Sequence, residues 1–115
     1  GASVDAARND GTTPLIIAAQ NGHSKTAKLL LAHGASVAAA LNGGATPLII
    51  AAQNGHSETA KLLLAHGASV DAACDDGATP LFIAAENGHG KTAKLLLAHG
   101  ASVDAARNDD GATPL

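Results

Sequence analysis

Six histidines, one cysteine and two pairs of adjacent aspartates are the residues of this 115-residue chain whose types can do chemistry. His23, His56 and His89 recur every 33 residues, and so do His33, His66 and His99. Imidazole is a common zinc ligand, but zinc holds its ligand nitrogens at about 2.0–2.1 Å from one metal. Histidines one repeat apart on stacked helices stand roughly 8–10 Å from each other, so the pattern argues against a metal site. His23, His56 and His89 are expected instead to open helices and hydrogen-bond neighbouring turns. His33, His66 and His99 are expected at helix C-termini, where a cation complements the helix dipole.

The remaining candidates are weaker. Asp75-Asp76 and Asp109-Asp110 lack the alternating oxygen ligands of a calcium loop and read as solvated turn residues. Cys74 has no second cysteine with which to form an internal disulfide, which fits a reducing compartment or recombinant production. For a natural protein an intracellular, cytoplasmic setting is favoured. The aspartates that follow Cys74 work against a reactive thiolate, and no base and orienting group are legible around it. The chain therefore reads as a non-enzyme without cofactor or metal. Its formal net charge of −3, lysines and arginines that form no basic stripe, and a single aromatic, Phe82, speak against nucleic acid. No apolar run approaches the ~18 residues that span a bilayer, and no secretory leader is visible.

The elements that carry these residues repeat. Pro14, Pro47 and Pro80 are 33 residues apart and Pro114 follows after 34, which makes the chain an array. It divides into a partial repeat over 1–9, repeats over 10–42, 43–75 and 76–108, and the start of a further repeat over 109–115. One additional residue within 105–111 accounts for the longer step. Thr13 before Pro14 is a helix start, since a threonine oxygen accepts an early amide and proline needs no donor in the first turn. This first helix is expected over 14–21 and ends at Gly22. A second helix opens at His23 or Ser24, runs to about residue 32 or 33 and stops at Gly34.

On the second helix Thr26, Ala27, Leu29, Leu30 and Leu31 span a wide apolar arc, leaving Lys25, Lys28 and Ala32 outward. An arc that wide is buried on more than one side. Helices this short are marginal alone, so each pair must lie against its neighbours, with Leu29, Leu30 and Val37 expected in the seams. A buried Leu or Val contributes roughly 1.5–3 kcal/mol against about 1–2 kcal/mol of backbone entropy per residue. One isolated unit should not fold.

The pattern Gly11, Thr13-Pro14-Leu15, Ala18-Ala19, Gly22-His23, Leu30-Leu31, Gly34-Ala35 recurs in all three full units and resembles ankyrin repeats. The resemblance implies an all-α solenoid of stacked antiparallel helix pairs with projecting, hairpin-like turns. It also implies a protein partner met by the turn tips and the exposed side of the first helices. Carried over by position, that surface holds Asn9, Asp10, Thr12, Gln20 and Asn21 in the first register. The second contributes Asn42, Gly43, Ala45, Gln53 and Asn54, and the third Asp75, Asp76, Ala78, Glu86 and Asn87. His33, His66 and His99 border the same face.

Three departures from the family pattern stand out. Ile16, Ile49 and Phe82 replace a histidine that ties down the helix start, so apolar packing must replace a polar lock. Arg8, Leu41, Cys74 and Arg107 replace a turn-opening aspartate, which questions the rigidity of the turns. Thr26-Ala27 and their counterparts replace a bulkier pair. The tips ARNDGT, ALNGGA, ACDDGA and ARNDDGA vary while the helices barely change. That contrast fits a recognition surface on a constant scaffold, and equally exposed loops that tolerate change. The near-identity of the units fits a consensus-style engineered array or a recent natural duplication. The alternative function is structural: neither end carries a polar capping face, so copies could stack head to tail.

Overall fold

A threonine and a proline start every first helix. Thr13, Thr46 and Thr79 hold extended backbone, and each Oγ1 accepts from the amide three residues on, at 3.2, 3.3 and 3.2 Å. That bond satisfies one of the donors a helix leaves unpaired at its N-terminus. The amides so held belong to Ile16, Ile49 and Phe82, whose side chains are buried. Helix starts are thus locked by the threonine oxygen and by apolar packing together.

The computed structural model describes residues 3–103. It contains α1 (Pro14–Asn21), α2 (Ser24–Ala32), α3 (Pro47–Gln53), α4 (Ser57–Ala65), α5 (Pro80–Glu86) and α6 (Gly90–Ala98). The extra residue within 105–111, Asp109-Asp110 and the start of a further repeat lie outside the described residues. Gly22 reverses the chain between α1 and α2 at φ 68°, in the left-handed region that costs glycine least. A Cβ there would also sit 2.7 Å from Nδ1 of His56, so the residue must be small as well as left-handed.

Helices pair antiparallel as α1–α2, α3–α4 and α5–α6. The first helices then stack as α1–α3–α5 and the second as α2–α4–α6. Leu15, Leu48 and Leu81 from the first row and Leu63 and Leu96 from the second fill the centre, with Ala18, Ala19, Ala51, Ala52 and Ala84 between them. Alanine at these contacts lets the layers approach closely.

The seams differ from expectation. Leu29 is 60% exposed, while its counterparts Leu62 and Leu95 are partly buried. This position faces the preceding layer, and among the described residues α2 is the first helix of its row, with no earlier second helix to cover it. The same rule leaves Thr26 exposed but buries Thr59 and Thr92. Each buried threonine is matched across the seam by a serine: Ser24 Oγ lies 2.8 Å from Thr59 Oγ1, and Ser57 Oγ lies 2.7 Å from Thr92 Oγ1. The hydroxyls in place of bulkier side chains therefore link successive layers by hydrogen bonds. The expectation that the cations form no stripe is also overturned. Lys25, Lys28, Lys61, Lys91 and Lys94 are all exposed on α2, α4 and α6, because a 33-residue interval in sequence becomes a single layer step in space.

Candidate functional site

Each turn before a first helix is closed by its own backbone. Arg8 N donates to Thr12 O at 2.9 Å and Gly11 N to Arg8 O at 2.9 Å; Leu41 with Ala45 and Gly44, and Cys74 with Ala78 and Gly77, repeat both bonds. Arg8, Leu41 and Cys74, which stand where the family has a turn-opening aspartate, thus leave the turn intact, since backbone groups make the closure; Arg107 lies outside the described residues. Successive tips are linked as well: Asn42 N donates to Asp10 O at 2.9 Å and Asp75 N to Gly43 O at 3.0 Å. Asn42 Nδ2 adds a bond to Asn9 O at 3.1 Å.

Asp10 stiffens the first tip further. One of its carboxylate oxygens accepts from Thr12 Oγ1 at 2.5 Å and from Thr12 N at 2.9 Å. The hydroxyl bond, then the amide bond, hold the Asp10 carboxyl below its ordinary pKa of 3.8, with a smaller contribution from Arg8. Asp76 accepts from Ala78 N at 2.9 Å in the third tip, and Gly43 has no side chain to do so in the second.

The far ends of the first helices form a second ladder. Gln20 O receives Asn54 Nδ2 and His56 Nε2, each at 3.1 Å; Gln53 O receives Asn87 Nδ2 at 3.2 Å and His89 Nε2 at 3.0 Å. His56 and His89 therefore reach the end of the preceding first helix, and serve as links between layers. His33, His66 and His99 each place Nδ1 3.0 Å from a carbonyl four residues back in their own helix. Donation through Nδ1 occupies that nitrogen. Among the described residues no three His, Cys, Asp or Glu side chains gather into a group fit for a metal.

Between the first two tips and the ends of α1 and α3 lies a groove of about 380 Å³. Of the residues expected on a contact surface it brings together Asp10, Thr12, Gln20, Gln53 and Asn54. Asn9, Asn21, Asn42, Gly43, Asp75, Asp76, Glu86 and Asn87 are exposed along the same two ladders. Ala45 is half-buried, and Ala78, at 1% exposure, presents almost no surface. His33, His66 and His99 are exposed but do not line the groove. Four lining residues were not anticipated: Arg8, Ile16, Leu41 and Ile50. Helical geometry carried a usable signal for two of them, since Ile16 with Gln20 and Ile50 with Asn54 are four residues apart and share a face.

A family model described as ankyrin repeats in three copies matches residues 1–73, and a second, described as ankyrin repeats in many copies, matches 58–97. The chain belongs to the ankyrin repeat family. A comparison with curated proteins found no match. Ankyrin repeats are in general protein-interaction modules and typically non-enzymatic scaffolds. No helix among the described residues of this ankyrin array is long and apolar enough to cross a membrane.

Proposed function

We propose that this ankyrin array is a non-catalytic protein-binding scaffold whose contact surface runs along the turn tips and the exposed ends of the first helices. The supporting observation is the groove between the first two tips, where an apolar floor of Ile16, Leu41 and Ile50 is rimmed by Arg8, Asp10, Gln20 and Gln53. Such a mix of apolar surface and a few placed polar groups suits a partner's side chains. The two hydrogen-bonded ladders hold the backbone that carries those groups, and Thr12 holds the Asp10 carboxylate, which lowers the ordering cost of association. In this reading the repeats run over 10–42, 43–75 and 76–108. The contact residues are those expected from the family pattern, with Arg8 and Leu41 added and Ala78 removed.

The test is a displayed library of protein fragments screened against the full chain and against an Arg8→Ala/Gln20→Ala/Gln53→Ala variant of unchanged helicity. Fragments retained by the wild type and lost by the variant are expected. Equal retention by both, or none by either, overturns the reading.

A second reading, head-to-tail self-association, draws on the exposure of Leu29 and Leu97, which are 60% and 38% accessible at opposite ends of the second-helix row. The same positions are where a further repeat of a longer chain would pack. Light scattering across a wide concentration range separates the two: a single monomeric species at all concentrations sinks self-association.

A further inference from the structure

The outer face of the second-helix row carries two grooves at equivalent positions of successive layers. The first, of about 260 Å³, is lined by Ser24, Lys25, Lys28, Glu58 and Leu62. The second, of about 310 Å³, is lined by Ser57, Glu58, Lys61, Lys91 and Leu95. Every position of the second stands 33 residues after its counterpart in the first: serine, lysine and leucine are kept at 24/57, 28/61 and 62/95, while charge is reversed at 25/58 and 58/91. Each groove thus offers a partly buried leucine between two lysines and one shared glutamate.

Charge is segregated in the same way. Five of the chain's seven lysines and arginines lie on the second helices, against one of its ten carboxylates, Glu58. Most of the other exposed acidic residues lie on the tips and the end of α5, at Asp10, Asp75, Asp76 and Glu86, with Asp71 in the segment after α4. A protein of net negative charge therefore presents one cationic face, opposite in sign to the molecule as a whole.

We propose that this face is a docking surface for an acidic amphipathic helix of a partner protein, which crosses the second helices and places one apolar side chain in each groove. The spacing fits: stacked helices lie about 8–10 Å apart, and residues i and i+7 of a helix are separated by about 10.5 Å along its axis. Carboxylates flanking those apolar residues meet Lys25 and Lys28 at one groove and Lys61 and Lys91 at the other. The two leucines also distinguish this partner from a merely anionic surface, since an array of lysines alone would answer to any polyanion. This site is separate from the tip surface and uses none of its residues.

The probe is a synthetic peptide of about 14 residues with leucines at i and i+7 and glutamates beside them, titrated into the full chain and followed by amide chemical shifts. Shifts centred on Leu62 and Leu95 are expected, with affinity that falls as salt screens the lysines. A Lys61→Glu/Lys91→Glu variant, checked for unchanged helicity and melting, is expected to bind about tenfold more weakly. Ser69→Ala, exposed in the segment between α4 and α5 and outside both surfaces, is expected to bind as the wild type does. The proposal is overturned by absence of binding, by affinity indifferent to the double charge reversal, or by shifts confined to the tips. It is likewise overturned if the peptide is ignored while phosphatidylserine vesicles are bound, which assigns the face to an anionic lipid surface.

Discussion

At the scale of single residues, two glycines with similar backbone meet different surroundings. Gly22 and Gly34 both have positive φ, 68° and 90°, but a Cβ on Gly22 would strike His56 at 2.7 Å whereas Gly34 has nothing within 4 Å. Gly34→Ala should cost about 1 kcal/mol, from the left-handed backbone alone. Gly22→Ala should cost about 2–3 kcal/mol, because it also displaces the ring that links His56 to Gln20 O. Urea denaturation of the two variants checks the order. Asp10 offers a second test at this scale. Its folded pKa is depressed, so the stability it adds is fully present above about pH 3.8 and is lost as the pH falls through the lower folded value. Thr12→Val removes the hydroxyl donor and should move the Asp10 titration upward toward 3.8, read by NMR.

At the scale of elements, identical text has unequal weight. The run Lys-Leu-Leu-Leu-Ala occurs in α2, α4 and α6, yet its leucines range from 0% exposed at Leu63 and Leu96 to 60% at Leu29. Leu63→Ala removes a fully enclosed side chain between two neighbouring layers and should cost about 2–5 kcal/mol. Leu29→Ala should change stability by about 0.5 kcal/mol or less. Equal melting temperatures for Leu63→Ala and the wild type would refute the stacked core. The helix spans themselves were legible because their signals are local: Thr before Pro, and glycine past the end, act within one turn of chain. The leucine seams were not, because burial is set by whichever helix lies alongside.

At the scale of the whole molecule, each described layer packs on its neighbours in the stack. Stability in such an array is a sum of unit and interface terms, so the pair flanked on both sides should open least. Amides of α3 and α4 should exchange with solvent more slowly than those of α1 and α6, measured by native-state hydrogen exchange. Faster exchange in α3 and α4 than at both ends would contradict this layering.

The 33-residue period was enough to establish the repeat, and capping chemistry the helix boundaries, since a start or stop signal acts within a few positions of itself. Candidate contact residues followed from position in the repeat, and Gln20, Gln53 and Asn54 do share a groove. Arg8 and Leu41, seen in the sequence only as departures from a pattern, line it as well. The lysines looked scattered for the same reason that the leucines looked alike: a 33-residue period says which residues are equivalent, not which lie side by side in space. Stacking alone makes them neighbours, and so decides which leucines are covered, which threonines meet serines, and where positive charge collects.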